Sequence, residues 1–261
     1  PDAAAYLHAV EAADGQALET PVKSAVDDFI KGCKAYGIWD SLKASCILCG
    51  ARTLGGALVP LAGTAPSNNG FLATDYDRET GLKGNGSTKY LDSGRANDDD
   101  PADDCHLAVY ATSAPSAGIK MYVGGQVSNP YDIYSSSADM HFRNGGTQVA
   151  SGAGGSTGLI ASARNASDSF SIRIDGETTS AASLARTPDA VNMFVFARNG
   201  SGGADFISDA TIAFYSIGTA ISDLALLDTL VSRLLADFQS IFEDGMDPDA
   251  LAYIRNLEAA D

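Results

Sequence analysis

The sequence predicts a mainly β protein, an antiparallel β-sandwich flanked by N-terminal and C-terminal α-helical segments. Three observations predict it. Apolar residues fall at helical spacing in residues 1–66. Residues 67–217 hold 18 of the 27 glycines and short runs of period two. Residues 218–261 return to helical spacing. We therefore expect an N-terminal helical connector, a sandwich and C-terminal helices, with these boundaries.

The N-terminal part predicts two helices. In the first, one face carries apolar residues at the spacing of a helix: Val22, Val26, Phe29, Ile30 and Cys33. Thr20 and Pro21 provide a capping hydroxyl and a proline for the first turn, and Gly37 is a suitable end. Asp40 predicts the cap of a second helix that runs toward Leu48.

The central part predicts ten or more strands at a spacing of about ten residues. Runs of alternating polarity include residues 106–110, 119–123, 169–174, 191–198 and 206–215. Turn signals separate them: Gly84-Asn85-Gly86, Asn129-Pro130, Asn144-Gly145-Gly146, Asp175-Gly176 and Asn199-Gly200. Many short strands of this kind favour a sandwich or jelly roll over a parallel α/β fold.

The C-terminal part carries a heptad pattern. Ser222 or Asp223 predicts the N-cap, and the apolar residues that follow are spaced by three and four: Leu224, Leu227, Val231, Leu234, Phe238 and Ile241. One interpretation is a helix that lies on its own sandwich. The other is an interface between copies of the chain, with these six residues at the contact.

The two ends of the chain repeat one another. Residues 1–14 and 248–261 are identical at nine of fourteen positions, including Tyr6 with Tyr253 and the endings Glu-Ala-Ala-Asp. We infer that helical connectors alternate with sandwiches in a longer polypeptide, and that the second copy is a candidate start of a next repeat.

Composition excludes several classes of function. The net charge of −16 has the wrong sign for binding phosphate backbones, so we expect no nucleic-acid partner. No run of 18 apolar residues is present, so we expect no membrane span. Four cysteines are too few for a disulfide-rich scaffold, and Cys46 and Cys49 have only Cys105-His106 as further candidate zinc ligands. We expect buried free thiols.

The sequence shows no local signature of catalysis, and we expect no enzymatic activity. Glycoside cleavage needs a pair of carboxylates, and the central part contains only two glutamates, Glu79 and Glu177. The three histidines (His8, His106 and His141) fall in no nucleophile-elbow or zinc-protease motif. A phosphate-binding glycine loop is also absent.

Two further features bear on ligands. The segment Asp98–Asp104 holds five carboxylates in seven residues, which favours a solvated loop. The alternative is a Ca²⁺ site, because calcium takes oxygen ligands. We expect no other cofactor. Five tyrosines are candidates for stacking on a sugar: Tyr90, Tyr110, Tyr122, Tyr131 and Tyr134. Tyr131 and Tyr134 flank a predicted turn, and we expect them to be the exposed pair.

Three short segments resemble laminin-G-like and concanavalin-like jelly rolls. Residues 81–92 look like the opening glycine-asparagine-glycine-serine turn with its strand, and residues 171–176 like an aspartate-glycine hairpin. Residues 213–218, followed by a leucine-rich helix, resemble the closing strand and tail. The resemblance implies a lectin-like sandwich over about residues 67–235.

The N-terminal part is similar to linker regions of tailed-bacteriophage virion proteins of the tail-fibre, baseplate or capsid-decorating type. The similarity is carried by residues 5–16, 26–29, 37–40 and 42–44. It implies a non-enzymatic structural component on the surface of a virion, whose partners are copies of itself and other virion proteins. The alternative is a carbohydrate-binding module that attaches to a host-surface glycan.

Overall fold

The computed structural model describes residues 3–243 and shows two β-sheets packed face to face, with helices on the outer face of one sheet. The predicted mainly β class, with a sandwich of two sheets, is confirmed. The helices are α1 (Ala3–Asp14), α2 (Thr20–Ala35), α3 (Leu54–Ala57) and α4 (Leu224–Glu243). No helix in the described range is long and apolar enough to cross a membrane.

The strands, in chain order, are β1 (Leu42–Ile47), β2 (Ser67–Asn69), β3 (Tyr76–Asp77), β4 (Gly81–Lys83), β5 (Tyr90–Ala96), β6 (Cys105–Ser113), β7 (Lys120–Gln126), β8 (Tyr131–Ser135), β9 (Asp139–Asn144), β10 (Val149–Ala153), β11 (Gly158–Arg164), β12 (Ser169–Ile174), β13 (Glu177–Ala182), β14 (Asn192–Val195), β15 (Arg198–Gly200), β16 (Gly203–Asp205) and β17 (Thr211–Gly218). Sheet A has the order β13-β12-β11-β6-β17-β4-β3, and β1 also pairs with β17. Sheet B has the order β10-β9-β8-β7-β14-β5-β2; in addition β15 pairs with β7, and β16 pairs with β15. All pairs are antiparallel except β15 with β7.

Strand β1 corrects the prediction of a second N-terminal helix. Residues 42–47 pair antiparallel with β17, from Leu42 opposite Gly218 to Ile47 opposite Phe214. Five of the six residues are buried, because helices cover one face of the strand and sheet B covers the other. Lys43 and Ser45 alternate with Leu42, Ala44 and Cys46, which is the period of a strand, but this short alternation did not outweigh the cap signal at Asp40 from which the helix was predicted. The sandwich therefore includes a strand from the predicted connector.

Helix α2 agrees with its prediction, with one difference at its start. The five apolar residues predicted on one face are all buried. Glu19, not Thr20, occupies the N-cap position, and no side chain bonds there to the free amides. Gly37 follows the end of the helix with φ of 72°, a conformation that glycine adopts without the steric cost of a side chain.

The molecule has two apolar cores. The first lies between the sheets and includes Tyr122, Phe142 and Phe170. The second lies between the outer face of sheet A and helices α1, α2 and α4. On that face, sheet A presents small side chains beside Phe214 and Leu159: Ala108, Ala161, Ala163 and Ala213. The helices therefore form a third layer on the sandwich and are part of its packing.

The heptad residues of α4 are buried within the chain. Leu224, Leu227, Val231, Leu234, Phe238 and Ile241 are 0–2% exposed and belong to the core between the helices and sheet A. Helix α4 contacts α2 and strands β11 and β12, and the Asp223 carboxylate accepts a hydrogen bond from the Leu226 N–H at 3.0 Å as its N-cap. The described structure thus has the helix lying on its own sandwich. An interface between copies through these residues stays an untested prediction, and it would require α4 to leave sheet A.

Two predicted turns have different outcomes. Asp175 and Gly176 have φ of 51° and 75° and connect β12 to β13 as a two-residue hairpin turn. Asn199 and Gly200 lie in strand β15, and the chain turns at residues 201–202. The second copy of the terminal repeat, residues 248–261, lies outside the described residues.

Candidate functional site

A groove of about 390 Å³ lies on the outer face of sheet A, between the sheet and the C-terminal half of α4. Its residues come from four places: the β3–β4 turn, strand β6, the start of β11 and helix α4. They are Glu79, Thr80, Tyr110, Ala111, Thr112, Thr157, Gly158, Ser232, Leu235, Ala236 and Gln239. The volume falls in the range of pockets that hold small ligands.

Strand β6 places Tyr110 and Thr112 in this groove. Leu107, Val109 and Ala111 belong to the core between the sheets. Because successive side chains of a strand point to opposite faces, Tyr110 and Thr112 lie on the helix side. The Tyr110 ring packs against the core beneath the helices and is only half-buried. The groove therefore contains one partly accessible aromatic ring.

Asp77 fixes the rim of the groove at the β3–β4 turn. Its carboxylate accepts hydrogen bonds from the N–H groups of Glu79 at 3.0 Å and Thr80 at 2.8 Å, and from the Thr80 hydroxyl at 2.9 Å. Partial burial raises the pKa of Asp77, but these hydrogen bonds outweigh it and lower the pKa below its ordinary value. The Thr112 hydroxyl donates to the Thr80 carbonyl at 2.6 Å and ties the turn to β6.

Several polar groups of the groove are available to a ligand. Within residues 3–243, the side chains of Glu79 and Thr157 and the hydroxyl of Tyr110 make no hydrogen bond or ion pair. Glu79 and Thr157 are also exposed. A carboxylate accepts hydrogen bonds, whereas hydroxyls both donate and accept them. The groove thus combines an aromatic surface with mixed donors and acceptors.

The predicted pair Tyr131 and Tyr134 is not exposed, and that expectation was wrong. Tyr131 faces the core between the sheets, is 1% exposed and donates its hydroxyl to the Arg186 carbonyl at 2.7 Å. Tyr134 lies on the outer face of sheet B, where it stacks on His141 with 4.6 Å between ring centroids and donates to Gln148 at 2.5 Å. Neighbouring side chains cover both tyrosine rings, so little ring surface remains for a sugar to stack on.

The other tyrosine candidates differ in accessibility. Tyr122 is fully buried in the core between the sheets. Tyr90 is half-buried and stacks on Phe194, with 4.7 Å between the ring centroids. Of the five candidates, Tyr110 is the one that lines the groove described above.

The outer face of sheet B carries a network of charges whose members pair with one another. Arg143 bonds to Asp132 through two nitrogens at 2.8 and 2.5 Å, and Arg198 bonds to Asp205 at 2.9 and 2.6 Å. Asp132 is fully buried, and burial raises its pKa although Arg143 opposes the shift. Because these charges are already paired, the network stabilises the sheet surface and offers a ligand little.

Three of the five carboxylates of the Asp98–Asp104 loop bind groups of the protein itself. Asp100 is 5% exposed and accepts two hydrogen bonds from Arg95, at 2.8 and 2.6 Å. Asp99 accepts from the Ala96 N–H at 3.0 Å, and Asp104 from the Ala220 N–H at 2.8 Å. Among residues 3–243, no three histidine, cysteine, aspartate or glutamate side chains converge as metal ligands. The described geometry therefore supports a structural role for this loop.

The candidate zinc ligands bond to other groups, and among residues 3–243 they form no cluster of three that could hold a metal ion. Cys105 donates to the Asn144 side chain at 3.0 Å, while His106 bonds to the Thr219 carbonyl at 2.6 Å and the Ser216 hydroxyl at 2.8 Å. Cys46 bonds to the Tyr215 hydroxyl. All four cysteines are buried free thiols, as predicted.

Sequence reasoning missed most of the groove. Tyr110 was among the sugar-stacking candidates, and Glu79 was noted only as one of two central glutamates. Thr80, Thr157 and Gln239 are far apart in the sequence and meet only through sheet pairing and the packing of α4. The one available signal was the alternation of β6, which places Tyr110 opposite Val109 and Ala111.

No protein-family model matches the chain, and no curated protein matches it either. Among solved structures, the CBM40 module of a Ruminococcus gnavus sialidase is 12% identical to this chain, with a TM-score of 0.38. The match covers 49% of this chain and 83% of that chain. The same module, with α2,6-sialyllactose bound, gives 14% identity and a TM-score of 0.37, over 52% and 83%.

The binding domain of botulinum neurotoxin serotype D is also similar in part. It is 12% identical with a TM-score of 0.42, and the match covers 77% of this chain and 52% of that chain. All three TM-scores lie below 0.5, so these similarities carry no argument about family or function.

Proposed function

We propose that this chain is a glycan-binding module whose ligand occupies the groove between sheet A and α4. The observation that supports it is the half-buried Tyr110 ring, in a groove where the side chains of Glu79 and Thr157 have no partner among the described residues. A sugar ring has C–H groups that pack on an aromatic face and hydroxyls that donate and accept hydrogen bonds. The groove supplies a surface for the first and partners for the second.

We further propose that the module binds its glycan without cleaving it. Glycoside hydrolysis uses two carboxyl groups about 5–10 Å apart on either side of the bond. The residues that line the groove include one carboxylate, Glu79. This composition supports recognition more than hydrolysis.

The charge of the groove favours neutral over anionic sugars. Glu79 is the only ionisable acid among its lining residues, and none of the lining residues is lysine, arginine or histidine. An acidic sugar would place its carboxylate near Glu79 with no cation among these residues to pair with it. The net charge of −16 adds repulsion at long range. We therefore expect neutral oligosaccharides to bind better than sialylated ones.

A glycan array followed by calorimetry tests this function. The full chain is screened against neutral and sialylated oligosaccharides, and the strongest soluble hit is titrated into wild type and Tyr110→Ala. We expect Tyr110→Ala to weaken binding about tenfold or more, because it removes the aromatic surface. Tyr110→Phe keeps that surface and should lose less.

Tyr36→Ala is the matched control, because Tyr36 is 61% exposed and lies outside the groove. It should bind as wild type does. Thermal melting of each variant checks that the fold is retained. Equal binding by Tyr110→Ala and wild type, or no glycan hit at all, would rule the proposal out.

A structural role in a phage virion stays a prediction from sequence resemblance. Its support is the terminal repeat and the N-terminal similarity, and no geometry among the described residues favours it specifically. The glycan-binding proposal is compatible with that role, since a virion component can carry a binding module.

A further inference from the structure

Helix α1 is held on the protein by an apolar contact and an acidic clamp. Tyr6 and Val10 are 4% and 3% exposed and lie in the same buried cluster as Val22, Val26 and Phe238. This cluster fixes one face of the helix. The opposite face, which includes Ala4, His8 and Ala9, is exposed.

The clamp consists of two carboxylates at the end of α1. Asp14 accepts hydrogen bonds from the N–H groups of Arg52 and Thr53, each at 2.8 Å, and from the Thr53 hydroxyl at 2.7 Å. Glu11 accepts from the Leu18 N–H at 3.0 Å and pairs with Lys23 at 3.3 Å. The Leu18 hydrogen bond is the main reason that the pKa of Glu11 is lowered.

Gly56 leaves room for the Asp14 side chain. A Cβ atom at this position would lie 2.3 Å from the Asp14 carboxylate oxygen, well inside contact distance. We call the groups that receive α1 the α1 seat: the apolar residues Leu18, Val22, Val26 and Phe238, the backbone amides of residues 18, 52 and 53, and Gly56. The seat is specific, because it requires a carboxylate at a fixed place on the helix.

The terminal repeat preserves the residues that fill this seat. At the buried and half-buried positions of α1, residues 248–261 repeat or conserve every side chain: Ala3, Tyr6, Leu7, Val10, Glu11 and Asp14 become Ala250, Tyr253, Ile254, Leu257, Glu258 and Asp261. The three non-conservative differences are Ala4 to Leu251, His8 to Arg255 and Ala9 to Asn256. All three fall at positions that are exposed in α1. A chance similarity between alanine-rich helices would not follow the contact face.

We propose that residues 248–261 are a second docking segment, which binds the α1 seat of another copy of this chain in place of that copy's α1. In the described structure each chain has one such seat, and its own α1 occupies it. A chain carries two sequences that match the seat. A second copy of this chain presents the same seat, so the second sequence matches a surface there, and the contact would join copies head to tail.

The first test recodes α1 in the full chain. Five substitutions, Ala4→Leu, Leu7→Ile, His8→Arg, Ala9→Asn and Val10→Leu, turn residues 1–14 into the sequence of 248–261. If that sequence fits the seat, the melting temperature stays within about 3 °C of wild type. Tyr6→Ser with Val10→Ser, which opens the seat, should lower it by about 5 °C or more. An equal drop in the recoded chain would overturn the proposal.

The second test measures association. The full chain with Tyr6→Ser and Val10→Ser keeps its own residues 248–261, and light scattering should show a mass above monomer that increases with concentration. Adding Tyr253→Ser and Leu257→Ser should return the monomer. A monomeric mass for the first variant at all concentrations would overturn the assignment to a second copy.

A labelled peptide of residues 246–261 checks the specificity of the contact. It should bind the four-substitution chain, about tenfold more weakly when it carries Asp261→Asn, and unchanged when Leu251→Ala, Arg255→His and Asn256→Ala replace its other face. If a peptide of residues 1–16 binds this chain and that of 246–261 does not, the proposal is wrong. If neither peptide binds, the melting temperature of the recoded chain decides the proposal.

Discussion

His106 shows how one buried side chain couples stability to pH. It is fully buried, its Nδ1–H donates to the Thr219 carbonyl, and its Nε2 accepts from the Ser216 hydroxyl. A charged imidazole in this place would lose its hydration, and its Nε2 could no longer accept a hydrogen bond from Ser216. Burial therefore lowers the pKa of His106 from 6.5 to about 4.

The sign of the resulting pH dependence follows from where the proton is held. Between pH 4 and 6.5 the unfolded chain binds a proton at His106 that the folded chain does not. Neutral His106 therefore makes its full contribution to the free energy of unfolding above pH 6.5. That contribution, about 3 kcal/mol in total, is lost as the pH falls toward 4. Urea unfolding of wild type and His106→Gln across this range should give a free-energy difference that grows with pH. A difference that is constant with pH would contradict this account.

The thiols provide a second prediction at the scale of residues. Burial raises the pKa of Cys33, Cys46 and Cys105 to about 12 and that of Cys49 still further. Thiolate is the reactive form, so the folded chain should resist alkylation at pH 8. Mass spectrometry should find no label on the native chain and four on the chain in guanidinium. Rapid labelling of native Cys46 or Cys49 would show that this core is accessible.

At the scale of elements, sequence periodicity predicted a long amphipathic helix correctly and missed a short strand that follows a helix-cap signal. Helix α2 shows one apolar face, and five of its seven buried residues were predicted individually. Strand β1 does alternate, with Lys43 and Ser45 between Leu42, Ala44 and Cys46, but the alternation covers only five residues and ends in an apolar run, so the cap signal at Asp40 favoured a helix. The Asp175-Gly176 turn was predictable, because positive φ at both positions demands such residues.

Substitutions in helix α4 distinguish packing within one chain from association between chains. Leu234 is 1% exposed in the core beneath the helices, whereas its neighbour Arg233 has a side chain that is 71% exposed. We expect Leu234→Ala to reduce the free energy of unfolding by about 2–5 kcal/mol through the cavity it leaves. Arg233→Ala should change it by about 0.5 kcal/mol or less.

Light scattering on the same two variants gives the second readout. The mass of folded Leu234→Ala should equal that of wild type, because its side chain packs inside one chain. A fall in mass with unchanged stability would instead favour the interface between copies that the heptad spacing suggested.

At the scale of the whole molecule, the third layer creates the candidate site. The sequence predicted strands and helices, but it treated the N-terminal helices as a connector and left open whether the C-terminal helix lies on its own sandwich, because the apolar pattern of a helix does not identify the surface that it covers. Alanines on the outer face of sheet A let the helices lie on it, and α4 then forms one wall of the groove above Tyr110. A site assembled from four distant segments has no sequence motif. For the same reason Tyr131 and Tyr134, adjacent to a visible turn, were chosen in error.

The most direct measurement of the central claim is a footprint of bound glycan on the full chain. Amide hydrogen exchange would be compared with and without a saturating neutral oligosaccharide chosen from the array. The account predicts added protection in the segments that form the groove, around residues 79–80, 110–112 and 157–158 and the 232–239 part of α4. Protection confined to sheet B, or to the loop at residues 98–104, would contradict it.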